Sequence, residues 1–330
     1  MKWHLFPVCL LASAFAFAAP PASATRPAPC SVQEPERTIW PQGTLLWGTW
    51  RKIATQESSS VMASIQLKGV QRAGLALPGV RLENGQLVGP KDLLGAVFQG
   101  EASDGQPIEV AVCDAGPSPQ DFSLVRYRIE LWNAGTESWY NPCVAAGQSH
   151  SPRALAVPGV WDETGARREV KGMFTFACEN GAIAKCVEWG YKPWAKKDGR
   201  SLVDLHQACT RMVRADYCGD GRSHTHENNP IDIYDGLQML TPSQEPRALE
   251  VFRFEACWDG DGAVCVSRAR EGQELKTVLA ACPDRFEAAR KDLGEGDSCT
   301  LVRKGAKAEK ALLRNRSRAQ GEPVPARVAP

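Results

Sequence analysis

Side chains that could carry a reaction are concentrated in one short region of the 330-residue chain. Three of its five histidines, His206, His224 and His226, lie there together with Asp216. Imidazole and carboxylate groups can hold a metal that activates water, or can move protons on a hydrolysable substrate. His206, Asp216 and His224 are therefore the candidate catalytic residues. His224 and His226 are the candidate metal ligands.

Two observations count against catalysis in this region. The pair His224 and His226 lacks the H-E-x-x-H pattern that places two histidines on one helix face for zinc. His206 follows Leu205 on the apolar face of a predicted helix, where a core histidine explains its position as well as a ligand does. The sequence therefore predicts neither a metal nor another cofactor, and catalysis stays an alternative.

A second candidate region is the aromatic sequence Trp189-Gly190-Tyr191-Lys192-Pro193-Trp194. Trp189, Tyr191 and Trp194 can form a platform on which a ligand stacks. The alternative is ordinary packing of the three rings around the turn at Pro193. In either case the surrounding elements must fix the rings.

The first 24 residues, 1–24, have the pattern of a secretory signal peptide. Lys2 precedes an apolar run at Leu5–Ala19, and Ala22-Ser23-Ala24 supplies the small residues that signal peptidase requires. No later run approaches 18 apolar residues, so we expect no transmembrane segment after cleavage. We therefore expect an exported protein that is periplasmic, cell-surface or secreted. The net charge of +1 argues against a nucleic-acid partner.

Cysteine is abundant, with twelve residues, and Cys9 would leave with the signal peptide. In an oxidising compartment the remaining cysteines are expected to form disulfides rather than to bind metals. Several sequence neighbours flank turn-rich segments that can return the chain to bridging distance. Sequence alone leaves other connectivities open. Pairing neighbours predicts the bonds Cys113–Cys143, Cys178–Cys186, Cys209–Cys218, Cys257–Cys265 and Cys282–Cys299, and leaves Cys30 unpaired.

The elements that must position these residues differ between the two halves of the chain. Across residues 40–170, short strand candidates are separated by clusters of glycine, proline, asparagine and aspartate. Apolar and polar residues alternate with a period of two over Val125–Trp132. This half predicts a β-rich domain, either an antiparallel sandwich or a small barrel.

Residues 171–302 predict a cysteine-rich, disulfide-stabilised α+β domain with one or two helices. Met173–Cys178 has the composition of a buried strand, and Leu202–Asp216 places apolar residues on one helix face. Leu275–Leu293 shows a second helical spacing that is interrupted at Pro283. The whole chain is thus predicted to be β-rich α+β.

The two flanking segments are predicted to lack stable structure. Residues 25–39 are interpreted as a linker, and residues 303–330 as a basic, disordered tail. The tail holds eight basic residues against two acidic ones. A segment of that charge can contact anionic surfaces such as lipid headgroups.

Four ordered blocks of the chain are similar to those of a known family. They are Phe174–Cys178, Ala184–Trp194, Arg214–Gly221 and Ala311–Ser317, and the third contains the tetrapeptide Ala215-Asp216-Tyr217-Cys218. Together they resemble the ADYC domain family, over most of Gly172–Ser317. The resemblance implies a bacterial export signal and many cysteines, and it supplies no assigned activity and no catalytic residues. His226 departs from the glycine-containing stretch that the family pattern has after His224-Thr225.

These observations predict an exported, disulfide-stabilised protein that acts as a non-catalytic binding or envelope-associated module. Its partner is expected to be an envelope or extracellular ligand of unknown identity. The alternative is an extracytoplasmic hydrolase, with or without a metal, centred on His206, Asp216 and His224. Catalysis requires these three side chains to converge in a groove, so their geometry separates the two hypotheses.

Overall fold

The structure is a computed structural model that describes residues 26–31, 45–49, 64–89, 91–143, 151–270 and 273–318. The predicted signal peptide lies outside these residues. The strands are β1 (Ser64–Gln66), β2 (Gln71–Arg72), β3 (Leu75–Ala76), β4 (Arg81–Glu83), β5 (Gln86–Val88), β6 (Ala96–Glu101), β7 (Pro107–Pro117), β8 (Val125–Asn133), β9 (Ser138–Tyr140), β10 (Ala154–Pro158), β11 (Val160–Trp161), β12 (Arg167–Arg168), β13 (Met173–Cys178), β14 (Lys196–Lys197), β15 (Arg200–Ser201), β16 (Ile231–Asp235), β17 (Phe252–Asp259), β18 (Gly262–Val266), β19 (Phe286–Gly294), β20 (Asp297–Arg303) and β21 (Leu313–Arg318). The α-helices are α1 (Ala182–Glu188), α2 (Val203–Val213), α3 (Pro246–Val251) and α4 (Leu275–Val278), and short 3-10 helices lie at Leu279–Ala281 and Ala308–Lys310. None of the helices in this part of the chain is long and apolar enough to span a membrane.

Six strands of the first half close into an antiparallel barrel. β1, β13, β10, β8, β7 and β6 pair in that order, and β1 also pairs with β6. This closure places Ile65 opposite Gly100, where an added Cβ would lie 2.4 Å from the Ser64 carbonyl oxygen. Glycine at this position therefore permits the close approach of the two strands. The barrel is confirmed, and the sandwich alternative is not adopted.

Aromatic side chains fill the interior of the barrel. The rings of Phe174 and Phe176 meet Phe98 edge to face, at centroid distances of 5.9 and 6.1 Å. All three side chains are fully buried. The predicted alternation over β8 is seen from Tyr127 to Ile129, which are buried in this core on either side of the half-buried Arg128, whereas Glu130 is buried as deeply as Ile129. Edge-to-face pairs add about 0.5–1.5 kcal/mol each beyond the burial of their area.

The second half forms an antiparallel sheet that shares a core with the barrel. β16, β21, β17, β18, β20 and β19 pair in that order. α1 packs on β10 and β13 of the barrel, and α2 packs on α1 and on β17 of the second sheet. Every residue from Leu205 to Val213 is buried, and one hydrophobic core extends from Leu46 to Leu313. The predicted division between residues 170 and 171 therefore does not separate two cores, and β13 belongs to the barrel.

The second predicted helix, at Leu275–Leu293, is wrong over most of its length. Helical structure ends by Ala281, and residues 286–294 form β19, the edge strand of the second sheet. Two register shifts interrupt its pairing with β20. Because a bulge breaks the period of two, the apolar residues of this strand fall at a spacing that imitates a helix.

The predicted disordered tail is also wrong for the residues that the structure describes. β21 lies between β16 and β17, and Asn315 and Ser317 are fully buried there. Several basic side chains of this segment have acidic partners: Arg303 pairs with Asp259, and Arg316 lies 3.2 Å from an Asp297 oxygen. The charge that suggested disorder is thus partly neutralised within the second sheet. Residues 319–330 lie outside the described residues.

Five disulfides connect the elements, and the predicted pairing of neighbours is wrong. The packing of the helices and strands decides which cysteines meet, as where Cys209 on α2 faces Cys186 on α1. Cys257 is a buried free thiol, and Cys30 is bonded instead, so the predicted linker is fixed to β7 at this residue. Residues 32–39 of the predicted linker lie outside the described residues. The bonds are Cys30–Cys113, Cys143–Cys178, Cys186–Cys209, Cys218–Cys282 and Cys265–Cys299.

Candidate functional site

His206 is a core residue that joins α2 to α1. Its side chain is fully buried, and its ring packs against Trp161 at a centroid distance of 5.6 Å. Nε2 lies 3.1 Å from the Ile183 carbonyl oxygen, and because a carbonyl can only accept, Nε2 carries the proton. Burial lowers the pKa of His206 to about 3. The ring is therefore neutral at pH 7.

Asp216 organises the turn that follows α2. Its carboxylate is 1% exposed and forms an ion pair with Arg211, whose Nη1 lies 2.5 Å from Oδ2. It also accepts hydrogen bonds from the backbone N–H groups of Asp220 and Gly221, at 3.1 and 3.0 Å. Buried ion pairs are costly to break, about 3–5 kcal/mol when one partner is removed. Asp216 is thus fully engaged in holding its own turn.

Tyr217 joins this turn to the second sheet through a buried network. Its hydroxyl donates to Glu255 and accepts from the backbone N–H of Arg270, both at 2.9 Å. Arg270 donates to both Glu255 oxygens and to the carbonyls of Met212 and Val213 at the end of α2. Burial alone would raise the pKa of Glu255, but the charge and hydrogen bonds of Arg270 outweigh it and lower that pKa. A paired cation here also suits the negative end of the helix dipole.

The rest of the Ala215–Cys218 tetrapeptide has structural contacts as well. Ala215 is fully buried with φ +50°, a left-handed conformation that ends the helix. Cys218 is bonded to Cys282. Directly after it, Gly219 has φ +67°, and an added Cβ would lie 1.9 Å from the Asp261 carbonyl oxygen. The tetrapeptide fixes the path of the chain from α2 to the second sheet.

The two remaining histidines lie on the loop beyond this turn. His224 is half-buried, its backbone N–H donates to the Arg214 carbonyl at 2.9 Å, and its ring lies 6.1 Å from Tyr217. Burial lowers the pKa of His224. Its Nε2 has no hydrogen-bond partner among the described residues. His226 is exposed.

The structure does not bring the candidate catalytic and metal-ligating residues together. Across the described ranges, the only group of three or more potential ligand atoms within 4.8 Å of one another is Cys30, Cys113 and Glu130. The two sulfurs of that group form a disulfide, so neither is a thiolate. His206, Asp216 and His224 each serve separate contacts.

The aromatic candidates are packed rather than presented as one face. Tyr191 is fully buried, and its hydroxyl donates to Asp235 at 2.9 Å. Burial, followed by the charge of Asp235, raises its pKa. Trp194 covers the turn at Gly85, where an added Cβ would lie 2.5 Å from its ring. Trp189 is partly buried against the main core.

A groove that was not predicted lies on the outer wall of the barrel. It has a volume of about 720 Å³ and is formed by β6, β7, the β8–β9 hairpin and Arg26. Its lining combines apolar, aromatic and polar side chains, among them Gln99, Ile108, Glu109, Trp132, Thr136 and Tyr140. A smaller cavity of about 340 Å³ lies beside Tyr234 in the second sheet. Mixed linings of this kind are typical of ligand-binding clefts.

No short motif could have found this groove. Trp132 and Glu109 lie on different strands, and only the pairing of β7 with β8 brings those strands side by side. The available signal was the alternation over β8, which places Trp132 on the face opposite to Leu131. The feature of the sequence that could have indicated this surface is a tryptophan, Trp132, on the outward-facing side of a strand.

The comparison with protein families gives a match over the central part of the chain. A family model described as the ADYC domain matches residues 90–272, which is more than half of the chain. This stretch includes most barrel strands, α1, α2 and the first strands of the second sheet. No curated protein and no solved structure matches the chain.

Proposed function

The chain belongs to the ADYC domain family, and from this premise we propose that it is an exported, disulfide-stabilised binding or envelope-associated protein without catalytic activity. Its several disulfides indicate an oxidising, extracytoplasmic location. We also propose that the signal-peptide pattern at residues 1–24 directs export, and that the protein is periplasmic, cell-surface or secreted.

The barrel-wall groove is the observation that carries the binding proposal. It presents Trp132 beside the polar side chains of Gln99 and Thr136 and beside the ion pair of Arg26 with Glu109. Tryptophan combines a large apolar face with an N–H donor, which makes it a common anchor at binding surfaces. The hydrolase alternative is less well supported, because His206 and Asp216 serve buried structural contacts.

The proposed ligand is a component of the cell envelope or its surroundings, and nucleic acid is not among the proposed partners. Exposed lysines at Lys304, Lys307 and Lys310 surround the turn between β20 and β21. They support an additional contact with anionic surfaces. This contact would weaken as the ionic strength rises, since exposed charges are screened.

The test is co-sedimentation of the oxidised, full-length protein with purified cell-wall sacculi and with phosphatidylglycerol vesicles. We expect binding to at least one of them, and weaker binding by Trp132→Ala. The matched control is Phe122→Ala, which removes an aromatic side chain that is 80% exposed and lies outside the groove. Absence of binding to both probes, or equal loss in the two variants, would contradict the proposal.

Metal analysis of the same protein tests the hydrolase alternative. We expect no stoichiometric metal in the natively exported protein, and no hydrolysis of chromogenic ester substrates above background by either the unchanged protein or His224→Ala. Metal bound at one equivalent and lost in this variant would overturn the proposal in favour of a metal-assisted hydrolase.

A further inference from the structure

The described N-terminal segment, residues 26–31, lies on the barrel wall beside the groove and is held there by four kinds of contact. The Cys30–Cys113 disulfide attaches it to β7, and the backbone N–H of Cys30 donates to Glu130 at 2.6 Å. The Trp139 indole donates to the Pro27 carbonyl at 3.0 Å. Arg26 contacts the groove itself. We call this segment the arm.

Arg26 occupies a cage of two tryptophans and one carboxylate. Its guanidinium carbon lies 4.0 Å from the ring centroid of Trp132 and 4.9 Å from that of Trp139. The two ring centroids are 5.4 Å apart and the rings are tilted by 58°, so one face of each ring is available to the same cation. Glu109 forms an ion pair with the guanidinium. Aromatic faces and a carboxylate are the groups that recognise a guanidinium.

The carboxylate of the cage is itself positioned by the barrel. Gln99 on β6 donates to Glu109 at 3.2 Å. Burial alone would raise the pKa of Glu109, but the hydrogen bonds from Arg26 and Gln99 outweigh it and lower that pKa. Glu109 therefore stays ionised and able to pair with a cation.

The cage also recognises the main chain next to the arginine. The indole N–H of Trp139, which is the only donor of its side chain, donates to the carbonyl of Pro27, one residue after Arg26. A free guanidine would leave this donor without that acceptor. The arrangement therefore fits an arginine within a polypeptide better than a small guanidinium compound.

The occupant is attached in a way that permits exchange. Arg26 remains 43% exposed at its side chain, and the groove continues beyond it along β6, β7 and the β8–β9 hairpin. The disulfide holds the arm four residues away, at Cys30. A tethered ligand competes at an effective concentration that is roughly millimolar for a short flexible link. An incoming segment that extends along the groove can gain contacts that the arm does not make.

We propose that this cage and the adjoining groove bind an arginine-bearing polypeptide segment of a partner protein, with Arg26 filling the cage while the partner is absent. This inference rests on the proposed binding function and names the chemical class of its ligand. Removal of the Arg26 side chain should open the cage. An arginine peptide supplied in trans should then bind about 10-fold more tightly to the variant than to the unchanged protein.

The test uses full-length, oxidised protein and the peptide acetyl-Ala-Thr-Arg-Pro-Ala-amide, which repeats the sequence around Arg26. We expect saturable binding to Arg26→Ala by calorimetry, with a change in tryptophan fluorescence, and about 10-fold weaker binding to the unchanged protein. The peptide with glutamine in place of arginine should not bind. The matched control is Arg81→Ala, which removes another exposed arginine from an ion pair and should behave as the unchanged protein.

One further variant and three further outcomes complete the test. Arg26→Ala combined with Glu109→Gln should lose peptide binding while its circular dichroism stays unchanged. If Arg26→Ala binds sacculi or vesicles but not the peptide, the inference fails and the proposed function stands; if it binds none of these probes, both fail. If the unchanged protein sediments as a dimer and Arg26→Ala sediments as a monomer, the cage is occupied by the arm of a second copy. That result would overturn the assignment of the cage to a partner protein.

Discussion

The tetrapeptide from Ala215 to Cys218 shows how residues that suggest chemistry can serve structure. Asp216 lies within a predicted reactive cluster, yet its carboxylate is enclosed by Arg211 and two backbone donors. Tyr217 links α2 to Glu255 and Arg270. The sequence located this cluster correctly as a dense polar region. It could not assign the roles, because the partners of Asp216 and Tyr217 depend on the packing of α2 against the second sheet.

Substitution of Tyr217 by phenylalanine should destabilise the protein. The change removes a donor to Glu255 and an acceptor for the Arg270 N–H, and leaving buried polar groups without partners costs about 1–3 kcal/mol. Tyr127→Phe is the matched control, since its hydroxyl accepts from one backbone N–H, that of Leu87. Urea unfolding under oxidising conditions measures both. A smaller loss for Tyr217→Phe than for Tyr127→Phe would contradict the network.

His206 should make stability depend on pH. Its pKa is about 3 in the folded protein and about 6.5 in the unfolded chain, so between these values the unfolded state binds one more proton. Stability from this group is complete above pH 6.5 and is lost as the pH falls towards 3, by up to about 1.4 kcal/mol per pH unit.

The variant His206→Gln keeps an N–H donor for Ile183 and removes the titration. We therefore expect urea unfolding at pH 7, 6, 5 and 4 to show a shallower decline for this variant than for the unchanged protein. Parallel declines would mean that His206 does not titrate as its buried position implies.

At the scale of elements, local patterns predicted the strands that obey them. β8 and β13 were predicted from alternation and from composition, since neither strand contains a bulge of its own. The one register shift against β8 lies in β7, between Val112 and Asp114. β19 was misread as helix because two bulges shift its register. β21 was misread as a tail because its arginines dominate its composition, whereas its acidic partner Asp297 lies in the preceding strand. Partners distant in sequence are invisible to a local pattern.

Truncation tests whether β21 is required for the second sheet. A chain that ends at Arg318 should keep the thermal stability of the full protein. A chain that ends at Leu312 should lose the second sheet, because β21 pairs on both sides and Asn315 accepts from the Trp258 indole at 2.8 Å. Near-ultraviolet circular dichroism and thermal unfolding measure the difference. Similar spectra for both chains would contradict the central position of β21.

At the scale of the whole molecule, the signal-peptide pattern predicted export and the number of cysteines predicted disulfides, but neither predicted how the cysteines pair. The pairing of neighbours began at Cys113 and left Cys30 over. Beginning at Cys30 would have given the first three bonds correctly. The last two bonds interleave along the chain, so no rule of neighbours recovers them. The groove was missed for the same reason, since it exists only once β6, β7 and β8 are side by side.

Peptide mapping without reduction should recover the five bonds and one thiol, Cys257. This residue is fully buried, and burial raises its pKa to about 12, so it is a poor nucleophile. We expect iodoacetamide to modify Cys257 only after denaturation. Rapid modification of the native protein would show that the thiol is accessible. Recovery of a Cys257–Cys265 peptide would show that these directly opposed residues on β17 and β18 are bonded instead.

Under the proposed export, the spacing of the disulfides also bears on how the protein matures. A chain translocated with its N-terminus first offers its thiols to an oxidase in sequence order. Joining consecutive thiols then produces three native bonds, two on the barrel and one between α1 and α2. Cys218, however, meets Cys257 and Cys265 before its native partner Cys282 emerges. Bonds formed early there must be reshuffled by thiol–disulfide exchange. Maturation of the second sheet, but not of the barrel, should therefore require a disulfide isomerase.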